Sequence, residues 1–175
     1  MTEGVFLIGT DRDVGKTMVG AGLVALLRAR GREAVLMTPV STGGEVESAD
    51  DLLKEIGIQD VERRLVNPIH LLKNMNLPSI IVARSSRRTI NHSLLTTRVM
   101  AAAGLTPLGF ILNGYGRFGE GFAESLNADT LGELAPEIPV LATLEWRPSY
   151  RENFQLFVRE LGRQQALNTL PETWT

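Results

Sequence analysis

Cysteine is absent from the 175-residue sequence, which excludes a disulfide framework and any thiolate metal site. No apolar run reaches the roughly 18 residues that a membrane span needs. The N-terminus lacks the basic-then-apolar order of a secretory signal. A basic excess is missing too, since 18 Lys and Arg stand against 20 Asp and Glu for a net charge of -2. A broad nucleic-acid footprint needs positive charge clustered on one face, so no such partner is expected. These absences leave a cytoplasmic protein with small-molecule ligands and neither nucleic-acid nor membrane partners.

Hydrophobic residues at 43% and charged residues at 22% are ordinary for a soluble globular protein. The length fits one domain, expected over residues 1–163, with 164–175 as a loosely held tail. Apolar runs at Val5–Ile8, Ala34–Met37, Ile80–Ala83 and Leu108–Leu112 read as strands, with Pro139–Leu141 as a short last one. Helical spacing follows from Lys16 to a stop at Gly31, from about Asn91 to Ala103, through Leu126, Leu131 and Leu134, and from Phe154 to Leu161. Near-continuous apolar strands alternating with amphipathic helices predict an α/β fold, a doubly wound, mostly parallel sheet covered on both faces.

The first strand runs into Gly9-Thr10-Asp11-Arg12-Asp13-Val14-Gly15-Lys16-Thr17. This is a phosphate-binding loop with one extra residue between its glycines, placed between strand and helix as such a loop must be. Gly9 and Gly15 let the backbone turn so that peptide N–H groups meet phosphate oxygens, and the helix N-terminus adds its dipole. The fold is thus of the P-loop NTPase type, with ATP and Mg²⁺ as its expected cofactors. Asp13, Val14, Gly15 and Met18 are expected around the nucleotide, with Lys16 on the terminal phosphates and the Thr17 hydroxyl on Mg²⁺.

The same extra residue, with Gly9-Thr10-Asp11 and Val14-Gly15-Lys16-Thr17, resembles dethiobiotin synthetase, an ATP-dependent ligase family. Pro39-Val40 with Gly43, Val66-Asn67-Pro68, Leu77-Pro78, Ile90-Asn91-His92 with Leu94-Leu95-Thr96, Ala103-Gly104-Leu105 and Leu112-Asn113 extend the likeness collinearly. The resemblance implies conversion of diaminopelargonic acid, CO₂ and ATP into dethiobiotin, by a carbamate that attacks the γ-phosphate. It implies that Lys16 stabilises the transferring phosphoryl group and that Asn113 reads the adenine edge. Thr42 is either a hydroxyl near the reacting groups or an ordinary loop threonine. Asn91 either meets the substrate's carboxylate across a homodimer interface or simply caps a helix. Asp50 or Asp51 either completes the metal site or sits as a first-turn acid in a helix capped by Ser48.

Departures accompany the likeness. Thr38 stands where the family places a lysine, and Arg12, a candidate substrate contact, where it places a small hydroxyl residue. Between Ile69 and Leu72 the family carries a Ser-Pro-His segment, a helix, and a strand ending in Glu-Gly-Ala-Gly-Gly, none of which is present. That glutamate is a metal ligand in the family, and the strand is central to the sheet, so neighbouring strands must close up or another chain must contribute. No strand-end carboxylate replaces the lost acid, because one strand runs into Arg84 and another into Asn113. His70 reads as a loop residue and His92 as a structural residue at a helix start, while Arg84, Arg87 and Arg88 form a basic cluster that either meets an anionic ligand or, the favoured reading, is a solvated loop. The sequence therefore describes a dethiobiotin synthetase-like ligase, impaired or not. The alternative is a non-catalytic nucleotide-binding regulator or a decayed paralogue.

Overall fold

In the computed structural model the described residues are 4–37, 68–86, 88–116 and 127–168. Four strands, β1 (Phe6–Gly9), β2 (Ser79–Arg84), β3 (Gly109–Tyr115) and β4 (Val140–Glu145), form one sheet in that order, every neighbouring pair parallel. Between and after them come helices α1 (Lys16–Ala29), α2 (Pro68–Met75), α3 (Thr89–Ala102), α4 (Asn127–Leu134), α5 (Ser149–Glu152), α6 (Phe154–Gly162) and α7 (Gln165–Asn168). The expected α/β architecture is the one observed.

Strand side chains alternate between faces, and the core divides accordingly. Ile80, Val82 and Ile111 meet Val19 and Leu23 of α1, Phe157 and Leu161 of α6, and Leu167 of α7. Ile81, Ala83, Phe110 and Leu112 meet Leu72 of α2, Met100 of α3 and Leu131 of α4. Both faces of β2 and β3 are covered, which is why their sequences read as unbroken apolar runs. Each large apolar side chain so buried contributes about 1.5–3 kcal/mol.

Several expectations need correction. Ala34–Met37 joins no ladder; Leu36 packs inward near Gly20 while Val35 and Met37 are exposed. Hydrophobicity alone does not make a strand where no partner edge is in register. His70 lies in a helix, exposed on α2, rather than in a loop. The start of the presumed loose tail is held: Leu167 is buried, and the Gln164 side chain accepts a bond from the Thr143 N–H. From α2 the chain passes directly into β2, and β1 pairs with β2 alone, so β1 forms an edge of the sheet among the described residues.

Candidate functional site

All four strands point their C-terminal ends at one side of the sheet, the side where parallel α/β folds bind ligands. There β1 hands over to the loop of residues 10–15, anchored at its start by the Thr10 N–H on the Val82 carbonyl at 3.1 Å. Asp13 (φ 52°) and Gly15 (φ 95°) adopt left-handed backbone conformations. Such interruptions let successive peptide N–H groups converge into an anion-binding concavity. Helix α1 begins at Lys16, and its first N–H groups face the same space.

Lys16 folds back over the loop. Its Nζ donates to the Asp11 carbonyl at 3.2 Å and passes so close to Gly9 that a Cβ there would lie 2.5 Å from it. A side chain there would require the lysine to shift. Burial pushes the Lys16 pKa below its ordinary value, and the carboxylates of Asp13 and Asp11 pull it back up. Phosphate oxygens arriving at this ammonium would favour its charged form in the same way.

Two side chains brace the loop from behind. Arg84 Nη2 donates to the carbonyls of Asp13 at 3.1 Å and Arg12 at 3.4 Å. Asn113 Nδ2 donates to the Val14 carbonyl at 2.9 Å. Arg84 is therefore not part of a solvated cluster, as the sequence suggested; Arg88 is exposed just before α3 and Arg87 lies outside the described residues.

Asp13, Val14, Gly15, Met18, Arg84, Asn113 and Gly114 line a cleft together with Glu145, Trp146, Arg147 and Tyr150. Sequence reasoning missed the last four residues, since nothing in their local pattern marks them. Arg147 Nη2 donates to Glu145 Oε2 at 2.6 Å, with both side chains about half exposed. Tyr150 is buried and packs edge-on against Phe157, ring centroids 5.5 Å apart; burial raises its phenol pKa, against the pull of Arg147.

The structure thus gathers Gly9, Arg12, Asp13, Val14, Gly15, Lys16, Thr17, Met18 and Asn113 at one strand-end site. Asn91 is elsewhere, exposed in the first turn of α3 and outside the cleft, and His92 is half-buried beside it. Thr38, Thr42, Asp50 and Asp51 lie outside the described residues. Among the described residues no group of three or more His, Cys, Asp or Glu side chains is placed to hold a metal ion. No helix among them is long and apolar enough to cross a membrane.

A family model described as an AAA domain matches residues 3–71 and 66–153. The chain belongs to this family. It is a dethiobiotin synthetase-like P-loop NTPase. The ATP-dependent dethiobiotin synthetase of Bacillus subtilis subsp. natto is 25% identical over 172 residues, covering 64% of this chain and 74% of the relative. Those of Clostridium kluyveri (strain ATCC 8527) and Anaeromyxobacter dehalogenans (strain 2CP-1) are 24% and 27% identical, over 83% of this chain and 86% and 91% of their own lengths. The two stretches matched to the AAA domain meet at residues 66–71, and the Clostridium alignment spans 214 positions against the 175 residues of this chain. Relatives therefore carry residues with no counterpart here.

Proposed function

We propose that the protein binds ATP with Mg²⁺ in the Gly9–Thr17 loop and is a dethiobiotin synthetase-like ligase whose turnover is weak. What supports the binding is the loop itself: left-handed backbone at Asp13 and Gly15 leads directly into the N-terminus of α1, and Lys16 folds back over the loop. Lys16 would meet the terminal phosphates. Mg²⁺ usually keeps several waters and takes its remaining ligands from phosphates and one or two protein oxygens. The exposed Thr17 hydroxyl in the first turn of α1 fits that role, with Asp50 or Asp51 as the proposed carboxylate. Arg12 and Asn91 are the proposed contacts to a diamino fatty acid, and Thr42 a hydroxyl near the reacting groups.

Mg-ATP is expected to raise the melting temperature. At a hundredfold excess over Kd the linkage amounts to about 2.7 kcal/mol, or roughly 5–10 °C for a domain of this size. Lys16→Ala should remove most of that shift while leaving the unliganded protein folded. Equal shifts in both proteins, measured by differential scanning fluorimetry, would refute the assignment of Lys16.

A homodimer is the proposed assembly. Asn91, Leu95 and Val99 recur every fourth residue on α3, all exposed, with Leu95 at 57% and Val99 at 56%. An exposed apolar pair of this kind suits an isologous contact. Sedimentation at micromolar concentration should give twice the chain mass, and Leu95→Glu should give a monomer; a wild-type monomer would count against the assembly.

A nucleotide-binding regulator without ligase activity is a second reading, favoured by Thr38 and by the segment that the family resemblance implies and this sequence lacks. The turnover experiment in the Discussion separates the two.

A further inference from the structure

Arg84 and Asn113 are register partners on neighbouring parallel strands, so their side chains leave the sheet on the same face. Together they hold three successive carbonyls of the phosphate loop, those of Arg12, Asp13 and Val14. In a trans peptide the C=O and the following N–H point in opposite directions. Fixing these carbonyls toward the sheet therefore turns the N–H groups of Asp13, Val14 and Gly15 away from it, into the space beside Lys16. The left-handed residues Asp13 and Gly15 fall within this stretch, as expected where successive amides converge on an anion.

The base of the strap is fixed in turn. The Ser85 N–H donates to the Asn113 carbonyl at 2.8 Å, locking the ends of β2 and β3 together. The buried Thr89 hydroxyl donates to the Arg84 carbonyl, tying that end to α3.

From this geometry we propose that Arg84 and Asn113 act as a pair of positioning residues that preorganise the amide cradle for the triphosphate. Asn113 then serves phosphate binding through Val14, whatever contact it makes with the base. The proposal rests on nucleotide binding at this loop, and the test separates the two claims. The chemistry recognised is a polyphosphate, so the probes are Mg-ATP and inorganic tripolyphosphate, which carries the phosphates and no base.

Titration calorimetry on the full chain should show Arg84→Ala and Asn113→Ala each weakening tripolyphosphate by on the order of tenfold or more, the scale expected for losing charge-assisted or buried loop bonds. Arg84→Lys, which keeps the charge but not the fork, should recover only part of the loss. An Asn113 that only reads adenine would leave tripolyphosphate binding unchanged while weakening ATP. Tripolyphosphate affinity within twofold of wild type in both alanine variants, with wild type binding normally, overturns the strap. Failure of the wild type to bind either probe instead overturns nucleotide binding itself. Should Arg84→Ala unfold, Asn113→Ala carries the test, because it removes only one neutral bond to the loop.

Discussion

Supplied with diaminopelargonic acid, bicarbonate and Mg-ATP, the protein is expected to form dethiobiotin slower than its relatives by on the order of 10²–10³ or more, while still binding nucleotide. Holding phosphates needs the loop amides and Lys16, which the chain has. Turnover also needs positive charge and a correctly held metal where charge develops in the transition state. Thr38 replaces the lysine that the family resemblance leads one to expect beside the reacting groups, and the strand with a metal-ligating glutamate that the same resemblance implies has no counterpart between α2 and β2. Groups that act as a unit are not additive in their effects, so the two losses are not multiplied. Dethiobiotin and phosphate should be followed together. Dethiobiotin release at a rate ordinary for the relatives would refute the expectation and would direct attention to Arg12, Asp50 and Asp51 as replacements.

Gly15→Ala is expected to abolish nucleotide binding and to destabilise the unliganded fold. Two separate effects act at this position. The backbone sits at φ 95°, where a side chain costs roughly 1–2 kcal/mol. An added Cβ would also lie 2.1 Å from the Asn113 amide nitrogen, so Asn113 must withdraw and its bond to the Val14 carbonyl breaks, a further loss of about 1 kcal/mol. The unliganded melting temperature should fall by roughly 5–10 °C, and Mg-ATP should no longer raise it. Wild-type melting together with a wild-type nucleotide shift would mean that the loop is not constrained as described.

The parts of this molecule legible in its sequence are those whose signal is local. Gly9 to Thr17 announces its chemistry within nine positions, and Ile80–Ala83 and Leu108–Leu112 declare strands buried on both faces by being apolar throughout. Ala34–Met37 misled because its composition suits a strand, whereas strand formation depends on an available edge. Arg84 was misread because its partners Asp13 and Arg12 lie 71 and 72 positions earlier in the chain. Only the pairing of β1 with β2 and of β2 with β3 brings them together. Glu145 ends a strand that the sequence reading stopped too early, at Leu141, and Trp146, Arg147 and Tyr150 follow it.

Tyr150 belongs to two environments at once, lining the cleft while its ring packs on Phe157 in the core beneath α1. The shape of the cleft and thermal robustness therefore share a side chain. Selection or engineering that reshapes the cleft at Tyr150 must pass through variants that also loosen the interior, so mutations at Tyr150 should prove epistatic with those at Phe157. The neighbouring Glu145–Arg147 pair, half in solvent, carries no such burden and is the freer place for the cleft to change.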